Sequence, residues 1–357
     1  MRKSVIIIIG LVIFSGFTAM GIYYFFEKLS PSKQILSEVQ TTRSPCLGEN
    51  EIVDFPVNEY YSGEDFKYPK FPVVIYIKDK NTNKEKFHFQ IDGVRENYYP
   101  LEIRRCGIYI IRQFNYDSQK VKQGLTQGVG YRSEFWRYTY DGKGESLFLF
   151  HEITDRGEYK SYFATDFRVD PQEIYVVLER GYPDADNYAL VMRNLNIGKD
   201  DFVLLRQVLL EKYPEFVGYF RLREWTRDGN YFWATLSMTS KVEAFLRILK
   251  NVWKVDVLSA PTGTMGGVAL NTESGWITYD DGSPWTGVME LDQMYKEQWQ
   301  KEGKKVHFYL YNLFTKENIL LTTIGDPSWS FKPRWLSDTE LQYELPVGEK
   351  KIYEIKK

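Results

Sequence analysis

Three histidines, two cysteines and a few clustered carboxylates are the side chains of this chain that could do chemistry. The densest group is His151-Glu152-Ile153-Thr154-Asp155. An imidazole beside carboxylates can exchange protons or hold a metal ion. A zinc-binding helix, however, needs a second histidine four residues on, and Asp155 stands there. His88 and His307 lie inside alternating apolar–polar segments and read as ordinary strand residues. Asp184, Asp186 and Asn187 could offer oxygens to Ca²⁺, which takes roughly 6–8 of them. The rest of a binding loop is missing, so a solvated turn after Pro183 is the competing reading, and Asp280-Asp281-Gly282 reads the same way. No G-x-S-x-G elbow, no Walker A loop and no G-x-G-x-x-G after a strand occurs. Gly263-Thr264-Met265-Gly266-Gly267 reads as a flexible loop. The sequence therefore assigns no catalytic residue, no metal site and no cofactor. Any enzyme here must gather carboxylates from distant loops.

The elements that would position such groups are short strands. Val73–Ile77, the polar turn 79–83 and Lys86–Ile91 form a hairpin pattern. Tyr188–Met192 with Phe202–Leu205, and Val306–Tyr311 with Asn318–Leu321, repeat it. Gly107–Ile111 and Ser146–Phe150 add strands. Val242–Leu258 fits either a helix face or two strands turning at Lys250-Asn251, and its place in the repeat predicts the strands. Met289–Glu302 predicts a short helix or insertion. No run of βαβ units is visible, which excludes a parallel α/β fold.

A phrase recurs. Trp225-Thr226-Arg227-Asp228-Gly229 leads into the strand Asn230–Trp233, and Trp335-Leu336-Ser337-Asp338 leads into Thr339–Tyr343. Phe167-Arg168-Val169-Asp170 before Tyr175 is a weaker copy. Leu270–Ile277 is a fourth copy that lacks the aspartate. Each has an aromatic or apolar residue, a turn and an alternating strand, the mark of an array of small sheets. These units resemble the TolB-type (PD40) β-propeller repeats, relatives of WD40 repeats, with Asp228-Gly229 the best match. The resemblance implies an all-β propeller of about five to seven four-stranded blades. It makes Asp170, Asp228 and Asp338 turn-capping residues, and Trp225 and Trp335 packing residues between blades. Blades usually take about 40–50 residues. The 58 residues from Asp170 to Asp228 and 110 from Asp228 to Asp338 therefore imply long loops. The terminal strand Lys351–Ile355 is a candidate to close the ring on an early strand.

Ahead of the repeats, Val5 to Phe26 carries no charge. About 22 such residues cross a hydrocarbon core of roughly 30 Å as a helix. Arg2 and Lys3 keep the N-terminus cytoplasmic, and Tyr23 to Phe26 form an aromatic belt. A cleaved signal peptide is the rival reading, with a candidate site at Ala19-Met20-Gly21. The expected layout is a tip at 1–4, a transmembrane anchor at 5–26, a linker at 27–50 and a propeller at 51–357. An exported body permits a bridge between Cys46 and Cys106; two buried thiols are the alternative. Closing a loop of about 60 residues stabilises by around 4 kcal/mol in the chain-entropy model. Beyond residue 30 the chain holds 43 basic and 47 acidic residues, a net charge of −4. That excludes a nucleic-acid footprint, which needs a basic face. The aromatic content, 27 Tyr, 23 Phe and 9 Trp, suits pleated, half-buried surfaces.

The expected role is a membrane-tethered, extracytoplasmic binding or scaffolding module for a protein, peptide or glycan. Binding anchors favour Trp, Tyr and Arg; Tyr182, Trp285 and Trp299 are the loop candidates, with packing between blades as their alternative role. Two other classes stand beside it. An envelope hydrolase or lyase would need carboxylates or His151, Glu152 and Asp155 meeting in a cleft. A structural element of an envelope complex would need a large exposed apolar patch.

Overall fold

The computed structural model describes residues 44–56, 71–92, 101–115, 131–153, 159–181, 188–238, 241–261, 268–282, 289–326 and 330–356. Residues 5–26, where the sequence predicts an anchor, lie outside them. Among the described residues no helix is long and apolar enough to cross a membrane.

One compact unit spans Ser44–Lys357. Its strands pair with their sequence neighbours in antiparallel order, so the chain is a succession of up-and-down meanders. The first sheet is β1 (Glu51–Asp54), β2 (Val73–Asp79) and β3 (Glu85–Ile91). An eight-stranded sheet follows: β4 (Glu102–Ile103), β5 (Ile108–Asn115), β6 (Tyr131–Tyr138), β7 (Gly144–Ile153), β8 (Tyr159–Val169), β9 (Tyr175–Arg180), β10 (Ala189–Asn194) and β11 (Lys199–Leu205). Strand β8 belongs to both halves of it. Residues 159–162 pair with β7, residues 163–169 with β9, and the register breaks between Phe163 and Phe167. Next come β12 (Tyr219–Trp225), β13 (Tyr231–Met238), β14 (Lys241–Leu249) and β15 (Lys254–Ser259). Then β16 (Trp276–Asp280), β17 (Val306–Asn312) and β18 (Asn318–Ile324) pair, with a bridge from Leu270 to Ile277. The last sheet is β19 (Arg334–Trp335), β20 (Glu340–Glu344) and β21 (Lys350–Glu354). Helix α1 (Arg206–Lys212) follows β11, and α2 (Met289–Lys301) precedes β17.

Counting the eight-stranded sheet as two halves gives six meanders, and a hydrophobic core lies between each consecutive pair. Val73, Ile75 and Ile77 meet Ile108, Ile110 and Tyr138. Tyr109, Ile111 and Phe135 meet Phe167, Leu178 and Val191. Leu190 and Met192 meet Phe220, Trp225 and Phe232. Trp233 and Phe245 meet Ile277 and Leu313, and Phe308 and Leu310 meet Leu341 and Tyr343. The outermost meanders have a single such partner among the described residues. Inner ones meet a core on both sides; in the fifth, every residue of β16 is buried, while β17 alternates between buried and half-buried. At about 25 cal/mol per Å² of apolar surface, these stacked interfaces are the main source of stability.

Several expectations need correction. The described sheets are not uniformly four-stranded; the first, fifth and sixth meanders have three each. The linker does not extend to residue 50: Leu47 N–H donates to Arg105 O at 2.8 Å and Tyr140 N–H to Pro45 O at 3.1 Å, tying residues 45–47 to the body. The terminal strand pairs with β20 in the last sheet. Helix α1 has no sequence forecast; at seven residues with one buried side chain, Leu209, it is too short to show a period.

Candidate functional site

Antiparallel order gives the molecule two unlike ends. At one, strands are joined by turns of four or five residues: 80–84, 104–107, 139–143, 170–174, 195–198, 226–230, 250–253, 271–275, 313–317 and 336–339. At the other, connections run to 13 residues (206–218), 15 (116–130), 18 (55–72) and 25 (281–305).

The short-turn end is stitched together. Cys46 and Cys106 are bonded to each other. Cys106 N–H donates to Glu173 Oε1 at 2.6 Å, and Tyr109 OH to Glu173 Oε2 at 2.8 Å. Gln172 Nε2 donates to Asp228 O. Arg227 N–H donates to Glu273 Oε1 at 2.8 Å, while its guanidinium bonds Asp338 at 2.6 Å. Asn271 Nδ2 reaches Asp338 O at 3.2 Å. These links run from the first meander to the sixth.

The four repeat turns are capped from within. Asp170 Oδ1 accepts the N–H groups of Ile174 (2.6 Å) and Tyr175 (2.9 Å), and its other oxygen takes Lys250 Nζ at 2.9 Å. Asp228 accepts Asn230 N–H and the Thr226 hydroxyl. Such Asx caps give the backbone a local partner. In the unit without an aspartate, Asn271 caps Glu273 and Ser274. In the last unit the cap is Ser337, accepting from Thr339 and Glu340. Asp338 instead faces outward to Arg227. The tryptophans share one contact: Trp225 Nε1 donates to Arg168 O at 3.3 Å and Trp335 Nε1 to Ala269 O at 3.2 Å, each on the preceding meander. Gly229 suits its turn because its φ is +65°, in the left-handed region that glycine adopts without strain.

Near these turns, β4, β8 and β12 bring charges together. Arg104 donates to Val169 O (Nε, 2.9 Å) and pairs with Glu102 and, at 3.5 Å, Glu224. Arg168 pairs with Asp166 at 2.5 Å and lies 3.7 Å from Glu224. Glu102 also accepts Val169 N–H at 2.9 Å. Burial raises the Glu102 carboxyl to about 7, against the pull of Arg104, with Glu224 adding to the rise. Both Glu102 oxygens accept hydrogen bonds, Oε1 from Arg104 and Oε2 from Val169 N–H. Deeper on β9, Glu179 accepts the Tyr188 hydroxyl at 2.9 Å, and burial raises it to about 7. Carboxyls that titrate near neutrality can exchange protons; here the charges answer one another. Burial also lifts the Tyr188 hydroxyl far above its usual range.

No local motif marks this cluster. A retrospective signal is the acid-x-Arg spacing of Glu102-Ile103-Arg104 and Asp166-Phe167-Arg168, each just before a stitched turn.

The residues proposed from sequence fall elsewhere. His151 is buried on β7, and burial lowers its pKa. Glu152 follows it on that strand; its side chain and all of Asp155 lie outside the described residues. Tyr182, Asp184 and Asp186, between β9 and β10 in sequence, and Trp285, between β16 and β17, lie outside them too. Trp299, on α2, packs against the Phe308–Tyr343 core with Lys304 Nζ 5.3 Å from its ring centre. His88 bonds Glu85, and His307 bonds Asp281 at 2.9 Å. Among the described residues no three His, Cys, Asp or Glu side chains gather as metal ligands.

No family model matches the chain, and no curated protein does. Solved structures do match. An oligogalacturonate lyase from Vibrio parahaemolyticus shares 13% identity over 80% of this chain and 72% of its own, with a TM-score of 0.47. TolB from Acinetobacter baumannii shares 12% over 87% of this chain and 65% of its own, with a TM-score of 0.39. The chain thus spans just under two thirds of that TolB. A Desulfotomaculum acetoxidans protein described as functionally unknown shares 11% over 85% and 84%, with a TM-score of 0.40.

Proposed function

We propose that this protein is a β-propeller of the TolB type, anchored in the cell membrane through residues 5–26, and that its extracytoplasmic body is a non-enzymatic scaffold binding a protein, peptide or glycan. One observation carries this reading: the unlike ends. The short-turn end is locked from Cys46 to Asp338 by a bond or hydrogen bond at every step. The opposite end carries all the connections longer than five residues. A rigid hub bearing long connections is how scaffolds present recognition surfaces, because variable loops carry function on a fixed frame. A photo-crosslinking residue at Tyr182 or Trp285 in intact cells should capture a partner; one at Asn196, at the short-turn end, should not. Capture from Asn196 alone would overturn the assignment of ends.

A second reading, an envelope hydrolase or lyase, is favoured by Glu102 and Glu179 titrating near neutrality. It requires turnover that Glu102→Gln or Glu179→Gln abolishes without unfolding the protein.

A further inference from the structure

At the long-connection end, β5 and β6 carry two arginines around one aromatic pair. Arg112 Cζ lies 4.6 Å from the Trp136 ring centre and 5.4 Å from that of Phe114; Arg132 Cζ lies 5.6 Å from the same Phe114. The two guanidiniums therefore flank one ring, about 11 Å apart at most. The acid opposite Arg112 in the register, Glu134, is taken: it accepts Trp136 Nε1 at 3.0 Å and Arg132 Nη2 at 2.8 Å. Arg112 itself is half-buried. Its Nη1 donates to Tyr138 OH at 2.7 Å, and its buried Nε has no acceptor. Among the described residues, no carboxylate forms an ion pair with it. Asp92, the acid whose charge reaches Tyr138, is exposed and bonded by Gln90. By contrast Arg104, Arg137, Arg168, Arg180 and Arg193 each have a carboxylate partner. A half-buried guanidinium without a counter-charge is costly unless something supplies one.

We propose that Arg112 and Arg132, with Phe114 and Trp136, form a docking site for acidic side chains of a partner polypeptide. This rests on the scaffold reading above and names its ligand chemistry. Guanidinium forks take carboxylates in paired hydrogen bonds, and clusters of arginines are a recurring way to read acidic motifs. The site offers donors, and its one nearby acceptor, Glu134, is already engaged. A sugar brings hydroxyls that must also donate; a carboxylate only accepts. That asymmetry favours an acidic peptide over a glycan.

The test uses the full-length chain in detergent and a fluorescent octaglutamate peptide, read by anisotropy. Octaglutamine and a polyuronate are the comparison probes. Octaglutamate should bind, octaglutamine should not, and binding should weaken steeply with added salt. R112Q and R132Q should each weaken it tenfold or more, and R112K should weaken it less than R112Q does. R132Q alters a side chain that is 47% exposed, so it remains informative if R112Q does not fold. Equal binding by wild type and R132Q, or no octaglutamate binding by wild type, overturns the proposal. So does arginine-dependent binding of the polyuronate alone. Crosslinked capture at Tyr182 or Trp285 that survives R112Q and R132Q would remove this site and leave the scaffold reading standing. Absence of any capture by wild type would remove the scaffold reading itself.

Discussion

Asp170 is where the repeat turn, the interface between meanders and a buried charge coincide, so Asp170→Ala tests the packing logic most sharply. The carboxylate is fully buried. One oxygen satisfies two backbone N–H groups and the other an ammonium, Lys250 Nζ, that is itself only 11% exposed. Alanine leaves the N–H groups of Ile174 and Tyr175 without that acceptor, at roughly 1–3 kcal/mol each. It also strands the lysine, which keeps Gln172 Oε1 at 2.7 Å and the nearby rings of Tyr175 and Trp225. Allowing for non-additivity, the loss should be about 4–6 kcal/mol, a large share of the roughly 5–15 kcal/mol typical of a folded domain. Asp170→Asn keeps an acceptor for the turn and removes only the charge, so about 2–3 kcal/mol should go. Lys250→Met added to Asp170→Asn should restore part of that, because the ammonium then no longer needs a counter-charge. Urea unfolding of the four proteins measures all of this in one cycle. A loss under about 1 kcal/mol for Asp170→Ala would refute the view that these turns hold the meanders together.

Other outcomes follow from the same structure. Cys46→Ser should lower stability by around 4 kcal/mol, and a reductant should do the same to the wild type while leaving the variant unchanged, as read by the urea midpoint. Gly275→Ala should destabilise by more than the roughly 1 kcal/mol ordinary for a surface change, because φ is +70° and a Cβ would lie 2.3 Å from the Phe314 ring; thermal melting measures it. The Glu179 carboxyl titrates at about 7 in the fold against 4.5 unfolded. Between those values the unfolded chain has released a proton that the folded chain still holds, so stability falls as pH rises. The loss should approach about 3 kcal/mol by pH 8, and Glu179→Gln should flatten that part of the stability–pH curve.

Much of the local architecture was legible because strands bury alternate residues. Val306–Tyr311 reads buried and half-buried in turn, and the polar turn 79–83 separates two such strands. Val242–Leu258, ambiguous between helix and strands, forms β14 and β15 because both sides of the pair meet neighbouring strands and cores. The repeat phrase located the stitched turns, but letter matching misassigned one cap: a cap needs only an acceptor at the right place, so Ser337 serves where Asp338 was expected, and Asn271 serves in the unit without an aspartate. The charged cluster was not legible, since Glu102, Asp166 and Glu224 meet only through tertiary pairing. Nor was the Arg112–Arg132 site: Arg112 and Phe114 face Glu134 and Arg132 across a register that no local pattern states.

The most direct test of the scaffold account is to incubate the purified full-length protein with cell-envelope material, then follow both what it retains and whether that material changes. The account predicts saturable retention of an unaltered ligand, in proportion to the protein added. Progressive conversion of the material to smaller products, lost in Glu102→Gln or Glu179→Gln variants that still fold, would contradict it.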